Sequence, residues 1–261
     1  MTLPLIQFVD IKKSFGANQV LKGVNLSIYK GEIMVVIGKS GTGKSVLLKH
    51  IIGLVEQDSG ELLIQGKSLH RLPKKERHVF KRELSYMFQE NALFDFLNVF
   101  ENIALPLTET SKDAPSVIED KVNTRMTQLG LGPIGKKFPS QLSGGMRKRV
   151  ALARALVTDP KVVLFDEPTT GLDPVRKKKV HAMIKEYQEQ FGFTAVIVSH
   201  DIPNIFDLAQ HIALLDGGKI TFEGTKDDIL HSRSNAVNAF IRGEEYLCPT
   251  DCQDRQISAR G

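Results

Sequence analysis

Leu142-Ser143-Gly144-Gly145-Met146 opens a run that continues through Val162-Val163-Leu164-Phe165-Asp166-Glu167-Pro168 and closes on Gly171-Leu172-Asp173-Pro174. Ser143 suits a helix N-cap, and the two glycines after it let backbone N–H groups approach an anion. Met146, Val150, Ala153, Leu156 and Val157 recur at helical spacing. Residues 162–165 are a short continuous apolar run, as a parallel strand buried on both faces requires. Two carboxylates, Asp166 and Glu167, then stand at the strand's C-terminal end, where open α/β sheets bind ligands. One can hold a metal ion and the next can activate water.

Working outward, residues 33–37 form a second apolar run. Gly38-Lys39-Ser40-Gly41-Thr42-Gly43-Lys44-Ser45 follows at once, and a helix is predicted over 46–54. Strand, glycine-rich loop and helix in that order are the setting of a P-loop. Its glycines expose successive N–H groups to phosphate oxygens, Lys44 reaches the terminal phosphates, and the Ser45 hydroxyl ligates Mg²⁺. A plain glycine turn leaves the Lys-Ser pair unexplained.

The pattern predicts further strands over 5–9, 24–28, 60–65, 84–88 and 193–198, and helices over 99–107, 117–129 and 176–191. A hairpin turns at Asp216-Gly217-Gly218, a terminal helix begins near 227, and a short helix covers 235–242. Residues 90–158 read as a mostly helical insertion into the α/β core, and 244–261 as an irregular polar tail. Segment 91–97, Asn91-Ala92-Leu93-Phe94-Asp95-Phe96-Leu97, is apolar for a loop. It either packs into the core or forms a groove for a partner helix. The basic runs at 74–82 and 176–179 read as solvated helix faces and not as nucleic-acid sites. His200 ends the strand after the paired carboxylates; His211 and His231 have no such context and are expected at the surface.

The 261 residues suit one large domain, with 41% hydrophobic and 25% charged residues. No apolar run approaches membrane-spanning length, and the first ten residues lack a signal-peptide pattern. Cys248 and Cys252, both in the tail, argue against a disulfide framework and for a reducing compartment. A net charge of +5 decides little by itself.

The Leu-Ser-Gly-Gly element, the P-loop and the Asp166-Glu167 pair together resemble the ATP-binding cassette (ABC) ATPases over almost the whole chain. The resemblance implies a P-loop NTPase with a RecA-like core, an antiparallel β subdomain and an inserted helical subdomain, all within 1–243. It implies ATP and Mg²⁺ as cofactors. Phe15 would stack on adenine, where the family more often has tyrosine. Gly38, Lys39, Ser40, Gly41, Thr42, Gly43, Lys44 and Ser45 would hold the phosphates. Ser45, Gln89 and Asp166 would serve the metal. Glu167 would be the general base, with Gln89, Lys44 and His200 completing the catalytic shell. Ser143, Gly144 and Gly145 would bind the ATP of a second protomer, and Asp173 would lie at that homodimer's interface.

One departure narrows this further. The signature ends in Met146 where the family usually has glutamine. With 88–95 and Val99-Phe100-Glu101-Asn102-Ile103-Ala104-Leu105-Pro106-Leu107, it looks like the ATPase subunits of Mla-type (Mkl-type) lipid transporters. Those work with an integral membrane permease, an MCE-domain lipid-binding protein and a small regulatory subunit, at the cytoplasmic face of the inner membrane. A tail after the cassette would then reach across the dimer, anchored by Phe240 or Tyr246. The competing expectation is an ABC ATPase outside transport, such as an iron–sulfur assembly scaffold subunit. A DNA-repair relative would need a long coiled coil, and no heptad run is present.

Overall fold

The computed structural model describes residues 3–87 and 92–243. In chain order the elements are β1 (Ile6–Phe15), β2 (Asn18–Ile28), β3 (Ile33–Ile37), α1 (Lys44–Ile51), β4 (Ser59–Ile64) and β5 (Lys67–Ser68). Next come α2 (Lys74–Arg82), β6 (Leu84–Met87), α3 (Val99–Thr110), α4 (Pro115–Gln128), α5 (Gly144–Leu156) and β7 (Val162–Asp166). The chain continues with α6 (Pro174–Phe191), β8 (Thr194–Ser199), β9 (His211–Asp216), β10 (Lys219–Gly224), α7 (Lys226–Leu230) and α8 (Asn235–Arg242).

The larger sheet runs β10-β9-β3-β8-β7-β6, parallel except for the β10 edge. Register pairs Ile37 with Ser199 and Asp166 with Val198, so β3, β8 and β7 end side by side. This strand order brings the loop after β3, His200 after β8 and the carboxylates after β7 to one edge of the sheet. β3 and β8 are buried at every position, which is why their sequences run apolar without alternation.

The smaller sheet, β2-β1-β4-β5, is antiparallel. β1 bulges between Phe8 and Ile11, with Asp10 at φ 48°. Side chains on the two faces of the large sheet build two cores. Ile33, Val35, Val163, Phe165 and Ile197 pack toward α3, α4, α5 and α6. Met34, Val36, Leu164, Val196 and Val198 pack toward α1 and the smaller sheet. Alternation of side chains along each strand divides them.

The helices α3, α4 and α5 lie between β6 and β7 in sequence and pack on one another through Ile103, Leu107, Val122, Met126 and Val150. Two details differ from the sequence reading. β2 begins at Asn18, six residues earlier than the apolar run suggests, because its first turn is an exposed hairpin end. His211 is only half exposed, and its Nδ1 lies 2.6 Å from Oε2 of the buried Glu32. Glu32 precedes β3, so this pair closes the sheet edge opposite the carboxylates. His231 is exposed, as expected. No helix among the described residues is long and apolar enough to cross a membrane.

Candidate active site

The loop after β3 turns tightly enough to need glycine at two places. A Cβ at Gly38 would sit 2.5 Å from the Leu215 carbonyl oxygen. Gly43 caps α1 at φ 100°, and a Cβ there would strike Val20 at 2.6 Å. Lys39, Ser40 and Gly41 are exposed, and Thr42 donates its hydroxyl to Lys39 O at 2.9 Å. Lys44 is almost fully buried. Its Nζ donates to Gly38 O and Lys39 O, each at 2.9 Å, and stands 3.6 Å from Glu167 Oε1. Burial pulls the Lys44 pKa down, and the charges of Glu167 and Asp166 oppose that pull.

Ser45 and Asp166, 121 residues apart in sequence, meet through a hydrogen bond from Ser45 Oγ to Asp166 Oδ1 at 2.7 Å. The other carboxylate oxygen, Oδ2, accepts from the Tyr86 hydroxyl at 2.6 Å. Glu167 follows at φ 49°, a left-handed conformation that costs a non-glycine residue on the order of 1–3 kcal/mol. Its N–H donates to Val198 O at 3.0 Å, which fixes the turn against β8. Its Oε2 accepts from Thr170 Oγ1 at 2.9 Å and also contacts His200 Nδ1. Lys44, Ser45, Asp166, Glu167 and His200 thus form one cluster. Gln89 lies outside the described residues.

The cluster fits a magnesium ion. Mg²⁺ takes one or two hard oxygen donors from protein and fills its remaining positions with water and phosphate oxygens. The Ser45 hydroxyl and the Asp166 carboxylate supply that pair. Among the described residues no group of three or more His, Cys, Asp or Glu could cage a metal without such help.

Ser143, Gly144 and Gly145 stand elsewhere. Ser143 caps α5 and accepts from Met146 N–H at 3.3 Å; all three residues are exposed. They line a cavity of about 370 Å³ against Arg176 and Met183 of α6, and none of the residues lining it comes from the loop 38–45. Asp173 caps α6, accepting from Arg176 N–H at 2.9 Å, which holds its carboxyl below the usual range. Phe15 is 48% exposed at the β1–β2 hairpin, with Lys13 Nζ 5.5 Å from its ring centre, so it is not a core aromatic.

Sequence reasoning missed Tyr86, Thr170 and the buried Lys148, whose Nζ donates to Pro168 O at 2.8 Å beside the carboxylate turn. It also missed Asn102. That fully buried amide accepts from Phe94 N–H at 2.9 Å and donates to the carbonyls of Phe94, Leu97 and Asn98. The loop so held exposes Phe94 by 42% and Phe96 by 76%, their rings 5.5 Å apart. An apolar groove of about 1320 Å³ continues from Leu97 between α3 and α4.

The sequence pattern described as ABC transporter matches residues 21–170. The chain is 38% identical over 238 residues to the probable ribonucleotide transport ATP-binding protein mkl of Mycobacterium leprae, covering 91% of this chain and 69% of that protein. It is 34% identical over 244 residues to the intermembrane phospholipid transport system ATP-binding protein MlaF of Haemophilus influenzae, covering 94% and 92%. Its fold is similar to the dimeric, ADP- and phosphate-bound structure of the ATP-binding cassette MJ0796, with a TM-score of 0.72 and 31% identity over 84% of this chain and 98% of that one.

Proposed function

Since the chain belongs to the ABC transporter family of ATPases, we propose that it is the ATP-hydrolysing subunit of a phospholipid transporter. It would work as a homodimer beneath a separate membrane permease. The observation that carries the catalytic part is the cluster itself: a buried lysine, a hydroxyl–carboxylate pair and a second carboxylate in contact with a histidine, all at one sheet edge. Residues 1–243 would form the cassette, with 90–158 as its helical arm and 244–261 as its tail.

In this reading the N–H groups of the loop 38–45 cradle the phosphates, and Lys44 turns its ammonium from loop carbonyls to phosphate oxygens. Ser45 and Asp166 would hold Mg²⁺, which would supply positive charge against the phosphates. Glu167 would accept the proton of the attacking water, its strained backbone holding that carboxylate at the sheet edge between Lys44 and His200. His200 steadies Glu167 and senses the γ-phosphate. Gln89 belongs to the same shell by resemblance. Phe15, exposed beside Lys13, offers a face for adenine. The exposed signature residues leave one chain with only part of a site, so Ser143, Gly144 and Gly145 would complete the site of a second copy.

Phospholipid as cargo is supported by MlaF, the relative matched over most of both chains. The mkl relative carries a ribonucleotide name, so cargo needs its own test. The Phe94–Phe96 pair supports a permease contact. An MCE-domain protein, a regulatory subunit and a position at the cytoplasmic face of the inner membrane complete the proposal.

Purification in mild detergent of the full chain carrying Glu167→Gln tests this. The variant should bind ATP, barely hydrolyse it, and bring down a polytopic membrane protein with phospholipid. Wild-type turnover in that variant would remove Glu167 from the chemistry, and recovery without any membrane protein would favour the non-transport alternative.

A further inference from the structure

We infer that Tyr86 is a positioning residue for Asp166: its hydroxyl holds Oδ2 so that Oδ1 stays turned toward Ser45 and the metal-bearing nucleotide. The inference rests on the magnesium–ATP reading above. Its basis is the sheet register. Tyr86 on β6 pairs with Leu164 on β7. Leu164 and Asp166 are two residues apart on one strand, so they share a face, and Tyr86 lies on that face too. Tyr86 packs there on the core that includes Leu164, Leu47 and Leu48 of the α1 side. From this position the long ring reaches diagonally to the carboxylate two residues beyond its partner, and the hydroxyl closes to 2.6 Å.

The carboxylate needs this second donor. Rotation about the last side-chain bond of aspartate is broad, so the Ser45 contact alone does not fix the plane of Asp166. A donor on each oxygen does. Phenylalanine would fill the same volume and leave Oδ2 without that partner. Outer partners of metal-holding carboxylates matter to metal affinity by roughly ten- to a hundredfold.

The test uses Tyr86→Phe in the full chain, with a fluorescent N-methylanthraniloyl-ATP titrated with Mg²⁺. The Mg²⁺ concentration for half-maximal binding should rise roughly tenfold. Affinity in EDTA and the unfolding midpoint without nucleotide should stay at wild-type values. In an Asp166→Asn background, adding Tyr86→Phe should change the Mg²⁺ response no further, since the partner is already altered. A wild-type Mg²⁺ response in Tyr86→Phe overturns the inference, whether or not the variant is less stable, because it leaves Tyr86 a packing role alone. Additive losses in the double variant overturn it as well. If the wild-type chain itself shows no Mg²⁺-dependent binding, the magnesium–ATP reading fails and this inference with it.

Discussion

At the scale of single residues, burial sets the chemistry of several ionisable groups away from the reaction. His181 on α6 is 4% exposed, and neither ring nitrogen makes a well-formed side-chain bond. Burial pulls its pKa down; Asp201, the Asn204 backbone and Asp207 pull it up, and Lys177 lowers it. His50 is buried too, with its pKa also lowered chiefly by burial. Both therefore stay neutral in the folded chain at a pH where the unfolded chain takes up protons. Stability from this source is full above about pH 6.5 and is lost as pH falls from there toward the lower folded-state values. The loss is at most about 1.4 kcal/mol per pH unit for each histidine. His181→Phe should flatten the fall of the unfolding midpoint between pH 6.5 and 5, and His50 should leave a residual slope. An unchanged slope in the variant would show that His181 takes no part.

At the scale of elements, the loop 92–98 and α3 act as one piece. Asn98 caps α3 in a capping box with Glu101, and Asn102 one turn on ties the loop back to the helix. Asn102→Leu should cost about 1–3 kcal/mol, since it leaves the part-buried backbone groups of Phe94 and Leu97 without this partner. Nucleotide binding should survive, and recovery of the membrane partner should fall as the two phenylalanines lose their fixed placement. Phe94→Asp separates presentation from folding. At 42% exposure it should keep the wild-type unfolding midpoint while losing the partner. If Phe94→Asp unfolds the chain, that ring is core and the docking role is withdrawn. The end of the described chain behaves differently. Val237 is fully buried, and Phe240 and Ile241 pack on the main core, so α8 is docked on the cassette. Tyr246, the other expected anchor, falls outside the described residues.

At the scale of the whole molecule, the two halves of the expected site are separate in one chain. The cluster of Lys44, Ser45, Asp166, Glu167 and His200 is at the sheet edge, and the exposed α5 cap faces a different cavity. If two chains complete each other, Ser143→Arg and Lys44→Ala should each abolish turnover alone. Mixed, they pair the intact loop of one with the intact signature of the other at one site per mixed dimer, so with random pairing up to about a quarter of the wild-type rate should return. A mixture as inactive as its parents would argue that each chain uses its own signature.

Much of this protein is written locally. Residues 33–37 and 162–165 read as buried strands because a parallel strand covered on both faces admits only apolar side chains. The loop 38–45 is legible because a phosphate cradle demands glycine and a following Lys-Ser at fixed spacing. Ser143 announces its helix because capping is a contact across three residues. The tertiary structure alone decided what met across long separations. Tyr86 finds Asp166 across 80 residues, Ser45 finds it across 121, and His211 finds Glu32 across 179. Each meeting depends on the strand order β9-β3-β8-β7-β6 and its register, a property of the assembled sheet that no local period encodes. For the same reason the first turn of β2 and the two-residue β5 were invisible: their polar, exposed residues are held as strand by a neighbour's backbone, and their own side chains carry no sign of it.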